Sequence, residues 1–197
     1  LETKLGKGKF SVLGVGGFSF PLTDYVADFL PLSIGLRSTT GTARLMLDYE
    51  ISNWFATGSA SYVWRSNIEI DRTSYYTTET HNTNEVEMPD GASFNLRLGY
   101  RSFRMIAEAV INNWTTLGGF DITRNNMPFP SNKMNATTLG VNVKYVLPPL
   151  PQLSVVAGGN TTVAGRNVGK ANTFYGSFFY VFDLSPKSTS SDKAKMN

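Results

Sequence analysis

Nine ionisable side chains recur in otherwise apolar stretches, spaced by even steps within each: Arg44, Asp48 and Glu50 in "TARLMLDYEI", Arg65 in "SYVWRSN", Arg97 and Arg101 in "SFNLRLGYR", Arg104 and Glu108 in "FRMIAEAVIN", and Lys144 in "TTLGVNVKYVL". A β-strand turns that spacing into two faces, so each charged set projects to one side while Leu45, Leu47, Leu98 and Val143 project to the other. The chemistry open to such a set is electrostatic. Arg predominates over Lys, and its planar guanidinium suits pairing with Asp48, Glu50 and Glu108 in a confined space. The charges either neutralise one another or line an aqueous passage and set what it admits.

Catalysis finds little footing. The chain has one histidine, His81, in a polar stretch where solvation is expected, and it has no cysteine. No nucleophile elbow and no HExxH pattern occurs, and "GVGGFS" lacks the strand, turn and helix setting of a phosphate loop. The chain is therefore expected not to be an enzyme and to hold no metal or cofactor. A second candidate site is the stretch "TLGGFDITRNNMPFPSNKM", where Phe120, Ile122, Met127 and Phe129 alternate with Gly and Pro. These residues either fold inward to constrict a mouth or touch an apolar solute, or they form a small capping cluster. Pro128 and Pro130 stiffen the loop, as suits a fixed feature.

Strands must position these residues, because period-two alternation prevails along almost the whole chain and helical spacing is missing. About eight long strands are expected, with short links at Ser52 and Asn53, near Ser102, and from Pro148 to Gln152. Long connections are expected at residues 21–41, 72–91 and 114–136. Residues 185–197 read as a disordered polar tail.

Alternation by itself does not say which face meets water: a soluble sandwich buries its apolar face, whereas a membrane barrel turns that face to lipid. Four features favour the barrel. Several segments reach the roughly 9 to 11 residues that cross a bilayer, and loop lengths differ between the two ends as in outer-membrane barrels. The aromatic residues Trp54, Tyr62, Trp64, Tyr100, Phe103, Trp114, Tyr145 and Tyr180 fall largely toward strand ends, where interfacial girdles lie. The polar face carries opposed Arg and carboxylate groups. The expected fold is thus all-β, a transmembrane antiparallel up-and-down β-barrel of the outer-membrane type over residues 1–184, with its charged face inward and both chain ends periplasmic.

The net charge of +3 and sequence pI of about 9.1 come from scattered basic residues that form no run able to track phosphates. No nucleic-acid partner is expected. The partners expected are outer-membrane lipid, lipopolysaccharide and other envelope proteins. No apolar run approaches a spanning helix, and no charged-then-apolar leader opens the chain, which suits a cytosolic protein or a matured or truncated one.

The stretches "LGGFDITRNNMPFPSNKMNATTLGVNVKY", "FSFPLTDY" and "SYVWRSNIEIDRTSYY" resemble bacterial outer-membrane proteins described as transporters or as phenol-degradation meta-pathway proteins, over most of residues 9–184. The resemblance implies an outer-membrane barrel of more than eight strands that passes small, often apolar or aromatic, compounds. It would make this chain the C-terminal part of a ring of about 12 strands. An alternative is a non-conducting barrel acting as an anchor or subunit of an envelope complex.

Overall fold

The computed structural model describes residues 1–27, 33–124 and 128–182, and Met127 and the tail at 185–197 lie outside the described residues. Nine strands form one sheet: β1 (Glu2–Leu5), β2 (Gly8–Ser19), β3 (Thr40–Ile51), β4 (Trp54–Arg65), β9 (Asp90–Arg101), β10 (Met105–Leu117), β11 (Asn135–Val146), β12 (Leu153–Arg166) and β13 (Asn172–Tyr180). Two short hairpins lie between β4 and β9: β5 (Ile68–Glu69) pairs with β8 (Glu85–Val86), and β6 (Tyr75–Tyr76) pairs with β7 (Thr80–His81). The large sheet keeps chain order, β1-β2-β3-β4-β9-β10-β11-β12-β13. Every neighbouring pair in it is antiparallel. With strict alternation over an odd number of strands, the two edge strands β1 and β13 run in the same direction.

The eight expected strands are present, and β1 is a ninth. The opening residues pair with β2 from Glu2 opposite Ser11 to Leu5 opposite Gly8. A reversal at Gly6, φ +62°, makes that hairpin possible, and Glu2 pairs with Lys9 at 2.9 Å. The strands are also longer than expected at the expense of the loops. Residues 114–117 belong to β10, and β9 begins at Asp90.

Short turns cluster at one end of the sheet, at residues 6–7, 52–53, 102–104 and 147–152. The connections at 20–39, 66–89 and 118–134 lie at the other end, together with a brief link at 167–171. The asymmetry of loop length is therefore real but not strict. A short return suffices between β12 and β13 because Thr162 N bonds to Ala171 O at 3.0 Å.

The distribution of burial is unusual for a sheet. Leu45 and Leu98 are each 52% exposed and Val143 is 40% exposed, so among the described residues no apolar layer covers the face that carries them. Each such leucine forgoes on the order of 1 kcal/mol of transfer free energy while it faces water. The described residues do contain a buried apolar cluster, but it lies in the loops: Ala27, Ile68, Ile70, Val86 and Met88, with Tyr25, Leu36, Tyr75 and Phe129 packed against it. It joins all three long connections into one cap.

Candidate functional site

The registers place the ionisable residues on the face opposite Leu45 and Leu98. Asp48 stands opposite Thr57, Thr57 opposite Arg97, and Arg97 opposite Val110. One row over, Glu50, Phe55, Gly99, Glu108, Asn142, Gly158 and Tyr175 are successive cross-strand neighbours. The alternation of the sequence is thereby carried across seven strands without a slip of face. The irregularity between Thr137 and Thr138 falls toward the long-loop end, beyond this region.

Two opposed pairs form among the expected residues. Arg97 Nη1 donates to Glu108 Oε1 at 3.0 Å, and Asn142 Nδ2 donates to the same oxygen at 3.1 Å. The Glu108 side chain is only 7% exposed, while that of Arg97 is 45% exposed. Nearer the short turns, Arg101 Nη1 meets Glu50 Oε2 at 3.3 Å, and its guanidinium lies 4.2 Å from the Phe55 ring centroid. Phe55, although on the polar face, is buried beneath that guanidinium.

The remaining expected residues act separately. Asp48 accepts from Thr57 Oγ1, and Arg44 Nη2 donates to Ser59 Oγ at 3.2 Å. Lys144 Nζ sits 4.3 Å from the Phe179 ring centroid. Arg65 ends β4, where its guanidinium lies 5.4 Å from the Trp114 ring centroid and its backbone N–H donates to Asp90 Oδ1 at 2.9 Å. Arg104 occupies the β9–β10 turn, outside both strands, and its carbonyl accepts from Val146 N at 2.8 Å. Alternation within a strand therefore does not reach it.

Several participants were not among the expected site residues, although alternation puts Asn95 and Asn142 on the polar side of their strands. Asn95 Nδ2 donates to Asn112 Oδ1, Arg97 Nε donates to Asn95 Oδ1 at 3.0 Å, and Tyr175 Oη donates to Asn142 Oδ1 at 3.3 Å. The amides share the parity of the charged residues on their strands, and parity was the signal that could have found them; β13 carries no charged residue, and Tyr175 is placed on this face by its register opposite Gly158. Trp114 also belongs to the polar face, opposite Ser93 and two register positions from Gly91, rather than to an outward girdle. By contrast, Trp54 and Tyr100 are opposed residues near the short turns, their rings edge to face at 5.5 Å.

At the long-loop end, aromatic rings hold the cap together. Phe120 lies 6.1 Å from Phe129, Phe129 stacks on Tyr75 at 5.3 Å, and Tyr75 stacks on His81 at 4.7 Å with 11° between planes. His81 is thus half-buried and hydrogen-bonded to Thr77 Oγ1 at 2.9 Å, not solvated as its polar surroundings suggested. Ile122 is half-buried in the same loop. Burial raises the Tyr75 phenol above its usual range, with Glu87 and Glu85 adding to the effect. The loop is fastened from outside the stack: Asp121 receives two bonds from Arg166, one of them from Nε at 2.7 Å, and a third from Asn167 Nδ2 at 2.9 Å. Those hydrogen bonds, Arg166 first and then Asn167, hold the Asp121 carboxyl below the usual carboxylate range. Asn132 closes the loop base, accepting from Phe129 N at 2.6 Å and donating to Phe120 O at 3.3 Å.

Of the two roles foreseen for Phe120 and Phe129, the contacts are those of a capping cluster. A family model described as "Putative MetA-pathway of phenol degradation" matches residues 4–178. No curated protein and no solved structure matches the chain.

Proposed function

Since the chain belongs to the MetA-pathway family of phenol degradation, we propose that it is an outer-membrane β-barrel that passes small apolar or aromatic solutes along its polar face. The family description links the chain to phenol breakdown and so to the handling of aromatic compounds. One observation carries the rest of the reading: the face bearing Leu45, Leu98 and Val143 is open while Glu108 on the opposite face is nearly enclosed. An uncovered apolar sheet is unfavourable in water and favourable against hydrocarbon. Strands of 12 to 14 residues, as in β2 to β12 of the large sheet, exceed the roughly 9 to 11 needed to cross a bilayer.

In lipid an open sheet edge leaves backbone groups unpaired, so the ring must close. Edges β1 and β13 run in the same direction, and a ring with only antiparallel neighbours requires an odd number of further strands. Three more would give the expected ring of about 12, wide enough for an aqueous passage where eight strands are filled by side chains. In this arrangement the short turns face the periplasm and the loop cap lies outside.

The test is conductance of the full protein in planar bilayers, together with uptake of a small neutral aromatic solute by proteoliposomes. Discrete single-channel steps and uptake above that of empty vesicles are expected. A folded, membrane-inserted protein that is silent in both would leave the anchor or subunit role instead. A chain that stays monomeric in water without detergent would remove the barrel itself.

A further inference from the structure

We infer that the polar face holds a binding recess for an uncharged ring bearing neighbouring hydroxyl groups, an inference that rests on this face lining a passage. The recess, of about 150 Å³, opens over Gly140. Gly140 stands between Val110 on β10 and Asn160 on β12, so backbone forms its floor. A Cβ at this position would meet the Gly159 carbonyl oxygen at 2.8 Å and the Asn160 Cβ at 3.0 Å. Hydrogen alone fits there, and a flat ring can lie on the peptide plane against Val110. A cavity of this size holds one six-membered ring.

The rim decides what the ring must carry. Both donors that reach the Glu108 carboxylate, Arg97 and Asn142, bond to Oε1, which leaves Oε2 able to accept. Asn112 uses its carbonyl oxygen to accept from Asn95, which leaves its amide N–H free to donate into the recess. Asn160 brings a further amide with both functions. A hydroxyl group both donates and accepts, so two neighbouring hydroxyls match this rim. An anion gains little, because Glu108 already balances the charge of Arg97 and its carboxylate repels a second one. A ring without hydroxyls would leave the rim desolvated and unpaired.

The test uses the full chain in lipid nanodiscs, titrated calorimetrically with catechol, phenol and benzoate, with empty nanodiscs subtracted for partition into lipid. Catechol is expected to bind about tenfold more tightly than phenol, the factor that one net hydrogen bond supplies, and benzoate most weakly. Asn112→Leu and Asn160→Leu should each largely abolish the preference for catechol. Gly140→Ala should abolish binding by filling the floor, and because that variant risks misfolding, the two asparagine variants carry the test. Equal binding of catechol and phenol, or a preference that survives both asparagine substitutions, overturns the recess. Uptake of the same compounds by proteoliposomes carrying the same protein separates the two readings: diol-selective binding without uptake keeps the recess and removes transport, whereas uptake without selectivity removes the recess and leaves transport standing.

Discussion

Glu108 shows how a single side chain depends on its neighbours. Its carboxylate is nearly enclosed, and its partners Arg97 and Asn142 come from the strands on either side. Glu108→Leu would leave Arg97 without its counter-charge and Asn142 without its acceptor. Because Arg97 retains access to water, the cost should be about 1–2 kcal/mol rather than that of breaking a fully buried pair. Urea unfolding in lipid vesicles would measure it, and Glu108→Gln, which keeps an acceptor for Asn142, should recover part of the loss. Asp121 offers a pH-dependent counterpart. Its folded carboxyl ionises below the unfolded value of about 3.8, so its anchoring stability is present above that pH and is lost as pH falls through the lower, folded value. Protection against hydrogen exchange in residues 118–124 and 128–134, taken relative to the intrinsic rate at each pH, should fall below about pH 4, and Asp121→Asn should flatten that dependence.

At the scale of one strand, parity separates two neighbours. Leu98 and Arg97 are adjacent in sequence, yet one lies on the open apolar face and the other in the polar network. Leu98→Arg should cost about 2–4 kcal/mol of folding into a bilayer, whereas at a solvent-exposed position the same change costs within about 0.5 kcal/mol. A vesicle-folding titration that shows no penalty would argue against lipid at this face. The apolar face also alternates in size: Gly58 on β4 lies between Leu47 on β3 and Leu96 on β9, and Gly159 on β12 lies between Val141 on β11 and Phe174 on β13. In the cap, the stacked rings of Phe129, Tyr75 and His81 join two loops far apart in sequence. Phe129→Ala should remove about 1–3 kcal/mol of local packing and expose the 118–134 connection to limited proteolysis, while β9 and β10 stay protected.

For the whole molecule, the prediction concerns the ring. A closed barrel should resist denaturation by dodecyl sulphate until heated, giving two mobilities on a gel, whereas an open sheet should unfold without heating and give one. The amino-acid sequence by itself determined the strands and their two faces, because a side-chain period of two is a local property and a slip of one residue would turn every Leu of β3 or β9 onto the charged face. It determined the sites of most turns for the same reason, since Ser52–Asn53 and Pro148–Gln152 interrupt runs that otherwise alternate. It did not reveal that Glu2–Leu5 pairs with β2, because four residues carry too short a pattern. Nor did it reveal that Trp114 lies on the polar face, that Arg104 falls in a turn, or that His81 lies under Tyr75. Those depend on where a strand ends and on which distant strand or loop lies beside it. Only the tertiary structure decided which Arg meets which carboxylate and that the buried apolar cluster sits in the loops, because contacts between residues far apart in the chain are fixed by register and loop closure rather than by neighbouring sequence.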